Sequence, residues 1–378
     1  MKSKKVISLC KPEFSSKALE YLKEALDSGW VTQGPKTKLF EEKLGDYLNN
    51  KNCIAVSNCT TALFLSLFVN NIGRGDEVIV PSFTFIATAN AVKHTGAKPV
   101  FCDIDINTYN IDPEKIEKLI TSKTKAIIPV HQMGLPADMD KINVVAKKHN
   151  LFVIEDAACA IGSEYNGKKI GDSKNICCFS FHPRKIITTG EGGLITVPNL
   201  KLKKKLESLR SHGEAIDDIK RHKSQKPVFM KYSNYGYNFR LSDIQSAVGL
   251  SQLESVEHYI QKRIKNAGLY KKYFSAVSRI LLPYTPDKVR ANYQSYCVRL
   301  AGAAKKFRDN LVENLRKKGI LCTIGIQPVH RQKIYNDIKS ELKNTELCSD
   351  TTIILPMNHQ LSENDIEYIS NQVIELSK

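Results

Sequence analysis

The sequence predicts an α/β protein whose large domain is built on a mostly parallel seven-stranded sheet between helices. Seven short apolar runs occur between Asn52 and Val197, and most are separated by segments of helix length. The runs are continuously apolar, which is typical of strands buried on both faces. Beyond about residue 255, long helical segments and the strand-like run YQSYCVRL predict a smaller α+β domain. We therefore expect a large domain over 1–254, including an N-terminal arm, and a small domain over 255–378.

The composition indicates a soluble, folded protein with a substantial core. The chain has 378 residues and 42% hydrophobic content, and no stretch approaches the length of a membrane span. The apolar run near its start, VISLC, is too short for a signal peptide. Ten cysteines occur without a CxxC pair, and several lie inside the apolar runs, at Cys53, Cys102, Cys177 and Cys178. We interpret them as reduced core residues and expect a cytoplasmic protein with no membrane partner.

The formal net charge of +17 raises the possibility of a nucleic-acid partner. Much of the excess lies in KLKKKLESLR (201–210) and in the segment from Lys220 to Lys231. Neither segment is accompanied by a helix-turn-helix signature, an RNP motif or zinc-finger spacing. We interpret these lysines as a solvated basic face and expect no nucleic-acid partner. A phosphorylated small-molecule substrate would also be attracted by this charge.

Two helices are predicted before the first strand, over about 15–27 and 37–49, with the turn-rich GWVTQGPKT between them. From the first strand onward, strands and helices alternate. In sheets of this kind, ligands bind beyond the carboxyl ends of the strands. The residues that follow each strand are therefore the candidates for a binding site.

Small and hydroxyl residues follow the first strand, from Ser57 to Thr61, and open the apolar helix TALFLSLFV. A helix N-terminus with free backbone donors suits a phosphate group, although ordinary N-capping explains the same residues. After the second strand, the segment PSFTF places Phe85 at the edge of the sheet. This side chain is either a core aromatic or a ring that stacks on a planar ligand.

An acidic pair, Glu155-Asp156, ends the fifth strand. A carboxylate at the end of a buried strand needs a cationic or hydrogen-bonding partner. A protonated pyridine nitrogen is one such partner, and a metal ion or a role as an N-cap are the alternatives. Because no HxxxH pattern or carboxylate cluster accompanies the pair, we expect no metal.

The sixth strand leads into Lys185, which lies in a short loop between two predicted buried strands. A lysine becomes a nucleophile when its surroundings lower its pKa, and it then forms a Schiff base with a carbonyl or with pyridoxal phosphate. A solvated turn lysine is the alternative. The following glycines, GEGG at 190–193, match neither GxGxxG nor a P-loop, so they more plausibly make room for a bound ring or a neighbouring subunit.

The last part of the chain begins with the helix SVEHYIQKRIKNAGLYKKYF, from about residue 255. It continues through the strand-like run, a helix over about 305–318 and a final helix from Ser362. An appendage of this kind usually closes one side of a cleft.

Phosphate donors, an aromatic, an aspartate and a loop lysine, in this order, form the set that a pyridoxal phosphate enzyme needs. With these residues in place, the chain resembles the sugar aminotransferases of the DegT/DnrJ/EryC1/StrS family, which have fold type I. The resemblance extends over nearly the full length, through the segments SGWVTQGP, VSNCTTAL, GDEVIVPSFTFIATANAV, PVFCDID, VIEDAACAIGSEYNGKKIGD, FSFHPRKIITTGEGG, LRSHG, YGYNFRLSDIQSAVGLSQL and LPMNHQLSENDIEYI.

The resemblance implies a role for each candidate. Lys185 would hold pyridoxal 5'-phosphate as a Schiff base and later carry the proton, and Asp156 would pair with the ring nitrogen. The cofactor's phosphate would be bound by Thr60, Thr61 and Ser180, with Asn238 from the other subunit of a homodimer whose active site is shared. Phe85 would stack on the cofactor ring. The substrate side would involve Trp30, Arg240 and His330.

The chain departs from the family's usual pattern at three places. Cys159 stands where many relatives have Gln or His near the cofactor's phenolic oxygen, and since cysteine is a weak hydrogen-bonding group its cofactor-binding role is open. Cys59 stands where the family usually has a glycine in the phosphate turn, and some relatives also have cysteine there. The segment around His330 lacks the His-Tyr pair often found just before it.

Lys185 also points to the reaction, since relatives that have histidine there dehydrate keto-sugars instead of transaminating them. Relatives acting at C4 of the sugar commonly have GEGG after the lysine, and those acting at C3 have GDGG. The resemblance therefore implies amination of a nucleotide-linked 4-keto-6-deoxy sugar to its 4-amino form, with L-glutamate as donor, for surface glycan synthesis. A C3-specific aminotransferase, or a non-catalytic binding or regulatory protein with the same fold, are the alternatives.

Overall fold

The computed structural model describes residues 5–214, 229, 231–338 and 340–377, so the basic segment 220–231 lies outside it except at 229 and 231. The helices are α1 (Ser16–Asp27), α2 (Pro35–Leu48), α3 (Cys59–Phe68), α4 (Ala87–His94), α5 (Pro113–Ile116), α6 (Met139–Lys148), α7 (Leu200–Arg210), α8 (Asp243–Leu253), α9 (Val256–Phe274), α10 (Lys305–Lys317), α11 (Lys343–Thr351) and α12 (Glu363–Leu376). The strands are β1 (Cys53–Val56), β2 (Glu77–Pro81), β3 (Lys98–Cys102), β4 (Thr124–Ile127), β5 (Phe152–Asp156), β6 (Glu164–Tyr165), β7 (Lys168–Lys169), β8 (Ile176–Ser180), β9 (Gly193–Thr196), β10 (Ile280–Leu281), β11 (Val289–Arg290), β12 (Tyr296–Leu300), β13 (Thr323–Ile324) and β14 (Thr352–Leu355).

The central sheet contains seven strands in the order β1-β9-β8-β5-β4-β2-β3. These strands are the seven apolar runs of the sequence, and the predicted mostly parallel sheet is confirmed. Four of the pairings are parallel, whereas β9 runs antiparallel to both of its neighbours, β1 and β8. The sheet therefore brings the carboxyl ends of β1, β8 and β5 to one edge.

Helices cover both faces of this sheet, which explains why its strands are apolar without interruption. On one face, Val56 and Cys178 pack with residues of α3 and α7 such as Leu65 and Leu206. On the other face, the neighbouring strand residues pack with α2, α8 and α9. All four residues of β1 and all four of β9 are buried.

A buried ion pair fixes the position of β1 between two helices. The Arg210 guanidinium of α7 lies 2.5 Å from the Glu41 carboxylate of α2 and also donates to the carbonyl oxygen of Ala55. The backbone N–H of Ala55 donates to the same carboxylate oxygen, at 2.8 Å. These contacts hold the strand that leads into the candidate phosphate-binding turn.

A second, antiparallel sheet forms the C-terminal part of the structure, in the order β10-β12-β14-β13. The start of the chain packs against it: Ile7 exchanges backbone hydrogen bonds with Gly319 and Leu321, at 2.8 and 2.9 Å. Ile7 also belongs to the apolar core of this region. The domain boundary at 254/255 stays a prediction. The N-terminal arm, which was assigned to the large domain, contacts the C-terminal region through Ile7.

A third sheet, β11-β6-β7, joins the two regions through the pairing of Val289 with Tyr165. Each of the ten cysteines is a free thiol, and most are buried. Within the described part of the chain, no helix combines the length and the apolar character needed to cross a membrane.

Candidate active site

The predicted site residues come together along the carboxyl edge of the central sheet. Asp156 is the last residue of β5 and Ser180 the last of β8, and these two strands are adjacent. Thr60 and Thr61 lie in the first turn of α3, directly after β1. Phe85 lies in the loop between β2 and α4.

Asp156 is a buried carboxylate with two hydrogen-bond donors. Its side chain accepts from the Thr88 hydroxyl at 2.8 Å and from the backbone N–H of Ala158 at 3.1 Å. Burial raises the pKa of Asp156, and the two hydrogen bonds and the charge of Lys185 offset only part of this effect. A carboxylate in this condition is stabilised by a cationic group, which a protonated ring nitrogen supplies.

Lys185 ends a tight turn in which its backbone N–H donates to the carbonyl oxygen of His182, at 2.8 Å. Its Nζ donates to the Cys159 sulfur at 3.2 Å. Burial favours the neutral amine, but Cys159, Cys59 and Asp156 together outweigh burial and raise the pKa of Lys185. The protein's own groups therefore do not lower the pKa of this lysine, although a lowered pKa is the condition under which a lysine becomes nucleophilic. The interaction with Asp156 nevertheless places the amine and the carboxylate in one site.

The turn that opens α3 presents donors for an anion. Asn58 caps the helix by accepting from the backbone N–H of Thr61 at 2.9 Å, and the Thr61 hydroxyl donates to the Asn58 carbonyl oxygen at 2.7 Å. The backbone N–H groups of Cys59 and Thr60 and the Thr60 hydroxyl have no hydrogen-bond partner among the described residues. Free donors at a helix N-terminus suit a phosphate group.

Gly193 makes this turn possible. A Cβ atom at this position would lie 2.5 Å from the carbonyl carbon of Asn58 and 2.8 Å from the backbone nitrogen of Cys59. Since both contacts are to backbone, only glycine lets β9 pass so close to the start of α3. The last glycine of GEGG therefore provides close packing within the chain.

Three of the predicted cofactor ligands lie on the open side of this edge. Phe85 is 73% exposed, which excludes the core-aromatic interpretation for this residue, whereas the nearby Phe83 is fully buried. Asn238 is exposed, and Ser180 is partly buried. The Ser180 hydroxyl accepts from the backbone N–H of His182 at 3.4 Å.

The predicted substrate-side residues have distinct environments. Arg240 pairs through its backbone with Val56, so it lies at the end of β1. Trp30 packs against Gly34, where a Cβ would lie 2.6 Å from its ring. His330 is engaged on both ring nitrogens, with the Ser82 hydroxyl at 2.7 Å and the Glu346 carboxylate at 3.2 Å.

Residues that the sequence analysis did not select brace the site. Thr88 donates a hydrogen bond to Asp156. Its position three residues after Phe85, at the start of a helix, is the sequence feature that could have identified it. Asn292 donates to the carbonyl oxygens of Cys159 and Ile161, both at 2.9 Å. Gln294 donates to the carbonyl oxygen of Arg184 at 2.6 Å. No local pattern marks Asn292 or Gln294.

Asp243 organises the turn that precedes α2. Its carboxylate accepts from the backbone N–H groups of Gly34, Lys36 and Thr37 and from the Thr37 hydroxyl, at 2.7–2.9 Å. This one side chain, from the segment YGYNFRLSDIQSAV, therefore caps a helix more than 200 residues away and shapes the turn containing Trp30.

These residues fit pyridoxal phosphate at each of its ends. The donors at the start of α3 suit the phosphate, the buried Asp156 suits the ring nitrogen, and Lys185 supplies the amine that the cofactor's carbonyl requires. The exposed ring of Phe85 is available for packing on the cofactor ring. Among the described residues, no group of three or more His, Cys, Asp or Glu side chains could hold a metal ion.

Comparison with known proteins gives a consistent result. The model of the DegT/DnrJ/EryC1/StrS aminotransferase family matches residues 12–374. The chain is 39% identical to a GDP-perosamine synthase of Caulobacter vibrioides over 366 residues, 96% of each chain. It is 35% identical to the spore coat polysaccharide biosynthesis protein SpsC of Bacillus subtilis over 373 residues, 97% of this chain and 96% of the relative.

Solved structures agree with this result. PseC of Helicobacter pylori, an aminotransferase involved in the biosynthesis of pseudoaminic acid, superimposes with a TM-score of 0.91 at 31% identity, covering 98% of this chain and 99% of that one. The PLP-form of the putative sugar aminotransferase Spr1654 of Streptococcus pneumoniae superimposes with a TM-score of 0.92 at 29% identity, covering 98% of each chain.

Proposed function

The chain belongs to the DegT/DnrJ/EryC1/StrS aminotransferase family, and within that family we propose that it aminates C4 of a nucleotide-linked 4-keto-6-deoxy sugar. It is a pyridoxal phosphate-dependent sugar aminotransferase of nucleotide-sugar or polysaccharide biosynthesis. The position on the sugar, the nucleotide link, L-glutamate as donor and the role of each site residue are the parts that we propose.

One observation carries the proposal: the buried Asp156, at the end of β5, and Lys185, on the loop that follows β8, lie in one site. Their charges interact, and Asp156 is 5% exposed. Pyridoxal phosphate, when bound, supplies a carbonyl that exchanges amino groups and a ring that withdraws electrons. Lys185 holds the cofactor and moves the proton between cofactor and substrate carbons. Asp156 keeps the proton on the ring nitrogen.

The amine of Lys185 has to lose its proton before it reacts, and its surroundings favour the charged form. A cationic ring beside Asp156 would cancel the part of this effect that comes from the carboxylate. The hydrogen bond to the Cys159 sulfur holds Nζ of Lys185 in place before the cofactor binds. We therefore assign Cys159 to the cofactor site through Lys185.

At the other end, Thr60 binds the phosphate through the free donors of the α3 turn. Ser180 adds its hydroxyl from the end of β8, and Thr61 adds its own by exchanging its bond to the Asn58 carbonyl oxygen. Asn238 completes this set from a second copy of the chain. Its exposure, together with that of Phe85 and of Tyr235 at 96%, supports a homodimer in which each subunit covers the other's site. Trp30, Arg240 and His330 face the substrate side, where His330 positions the Phe85 loop through Ser82.

The substrate assignment rests on the sequence GEGG at 190–193 and on the relatives. A relative named as a GDP-perosamine synthase supports a nucleotide-linked substrate, and the positive charge of the chain suits a phosphorylated one. Ten free thiols favour a reducing compartment, so we place the reaction in the cytoplasm.

The proposal is tested with purified protein, pyridoxal phosphate, L-glutamate and a panel of keto-sugars linked to GDP, UDP or dTDP. We expect amination of a 4-keto-6-deoxy sugar, detected by mass and located by NMR, and its loss in Lys185→Ala but not in Lys43→Ala, which changes an exposed lysine of α2. An amine at C3 favours the alternative aminotransferase. Cofactor uptake without any half-reaction favours a binding or regulatory protein, and activity retained in Lys185→Ala contradicts the assignment of this lysine.

A further inference from the structure

A cleft of about 1010 Å³ lies at the amino edge of the central sheet, opposite the candidate active site. Its walls include the first residues of β5 and β8, whose last residues are Asp156 and Ser180. The β6–β7 hairpin, one side of α6 along its length and the start of α7 complete it. None of the predicted site residues lines this cleft, so it is distinct from the candidate active site.

Six lysines line this cleft. Two of them, Lys169 and Lys205, donate to the carbonyl oxygens of Tyr47 and Val69. The other four come from four separate segments. Lys147 belongs to α6, Lys168 to β7, Lys174 to the turn before β8 and Lys201 to α7. All four are exposed. Within the described part of the chain, none of them has an ion pair or a side-chain hydrogen bond.

The acidic residues of the same walls are occupied by other partners. Asp140 accepts from Asn166 and Asp172 accepts from Asn49, both at 2.9 Å. Glu155 is buried and accepts from His131, Ser173 and Asn175. Asparagine is neutral, so Asp140 and Asp172 keep their charges. The six lysines of the cleft outnumber its three carboxylates and leave it with a net positive charge.

This arrangement differs from the solvated helix face expected for residues 201–210. Lysines that are distant in sequence converge on one concave surface, where their mutual repulsion is relieved by a bound anion. The first turn of α7 adds its backbone donors at the rim, since Asn199 caps that helix and lines the cleft.

The floor of the cleft is apolar and contains an accessible ring. Met139, Leu151, Ile176 and Leu202 line it, and Phe152 is 47% exposed there. The volume is that of a site for a small organic molecule, and an exposed aromatic ring in such a site stacks on planar groups. We propose that the cleft binds a nucleoside diphosphate group, with the base against Phe152 and the phosphates among the lysines.

The test uses the pyridoxal phosphate-loaded protein and ADP as the probe, in calorimetric titrations at low salt. Because ADP also resembles part of the proposed substrate, location is measured by hydrogen exchange with mass spectrometry. We expect protection of residues 165–176 and 198–206. Adenosine and pyrophosphate, tested separately, should each bind more weakly than ADP. Adenosine lacks the phosphates that the lysines bind, and pyrophosphate lacks the base that stacks on Phe152.

Charge-matched variants distinguish the cleft from general electrostatics. Lys168→Glu/Lys201→Glu should weaken ADP binding at least tenfold, whereas Lys43→Glu/Lys306→Glu, which makes the same change in net charge at exposed lysines outside the cleft, should leave it unchanged. Both variants should keep the basal aminotransferase activity. If the glutamate variant does not fold, Lys168→Gln/Lys201→Gln replaces it, with a smaller loss expected.

Any of the following outcomes would overturn the proposal. The first is no saturable ADP binding below about 1 mM, which corresponds to less than about 4 kcal/mol of binding free energy. The second is an equal effect of the two charge-matched variants, or protection confined to residues 180–193. The third is protection of the cleft by duplex DNA or by anionic vesicles but not by ADP.

Discussion

Asp156→Asn should stabilise the cofactor-free protein at neutral pH while weakening its hold on the cofactor. Burial raises the pKa of Asp156 above its ordinary value of 3.8, so the folded chain binds more protons than the unfolded chain just above that pH. The free energy of unfolding then falls as pH rises through the raised pKa, and the penalty for the buried charge is present above that pKa. Asparagine has no charge to bury. The Thr88 hydroxyl, which now donates at 2.8 Å, can rotate and accept from the new amide.

The loss in cofactor affinity follows from the contact that disappears. A hydrogen bond to a charged group contributes about 1.5–3 kcal/mol, so removing the carboxylate should weaken pyridoxal phosphate binding roughly ten- to 150-fold. The amination rate should fall as well, because asparagine does not keep the ring nitrogen protonated. Urea denaturation of cofactor-free protein from pH 4 to 8 and spectroscopic cofactor titration measure the two effects.

The neighbouring Glu155 provides a matched control, because its pKa is shifted in the opposite direction from that of Asp156. Burial alone would raise the pKa of Glu155, but hydrogen bonds from His131, Asn175 and Ser173 reverse this and lower it. Its stabilising effect is therefore present at neutral pH and is lost as pH falls through the lowered pKa. His131 Nδ1 accepts from the backbone N–H of Ala137, so its Nε2 carries a proton that would face the new amide in Glu155→Gln. We expect a loss of about 1–3 kcal/mol.

A cofactor-free Asp156→Asn protein that is less stable than wild type at pH 7 would contradict the buried charge at Asp156. So would a shift of stability in the same direction by Asp156→Asn and Glu155→Gln. An unchanged affinity for the cofactor in Asp156→Asn would refute the role of this residue beside the ring nitrogen.

Three further predictions concern the same edge of the sheet. Thr88→Val removes a donor that lowers the pKa of Asp156, so the acid limb of the activity profile should move to higher pH; an unmoved limb would count against this contact. Gly193→Ala should cost about 1–3 kcal/mol in unfolding free energy and weaken cofactor binding, because its Cβ meets backbone atoms at the start of α3, and wild-type stability in denaturation would contradict this. Cys159→Ala removes a group that raises the pKa of Lys185, so cofactor uptake by the free protein should reach half its maximal rate at lower pH, and an upward shift would be inconsistent with the Cys159 contact.

The strands and the main helices were predictable because each has a local signature. The seven apolar runs became the seven strands of the central sheet, and Ser362 caps α12 where the final helix was predicted to begin. The antiparallel direction of β9 has a physical reason as well. The loop between Ser180 and Gly193 contains turns and no helix, so it lacks the helical crossover that a parallel neighbour usually requires.

The contacts that shape the site were not predictable, because they join distant segments. Asn292 braces the loop of Cys159 across more than 130 residues, and Asp243 caps α2 across more than 200. The direction of the pKa shift at Lys185 depends on how closely Cys159 and Asp156 approach it, which no sequence pattern encodes. The convergence of lysines on the cleft at the amino edge is likewise a property of the fold.

The central claim is that Lys185 is the residue to which pyridoxal phosphate becomes attached. Borohydride reduction of the cofactor-loaded protein makes that bond permanent, and peptide mass mapping then locates it. We predict a phosphopyridoxyl group on Lys185 in the segment FSFHPRKIITTGEGG, and none in protein first treated with L-glutamate, which should release the lysine. Labelling of another lysine, or labelling that L-glutamate does not remove, would contradict the account.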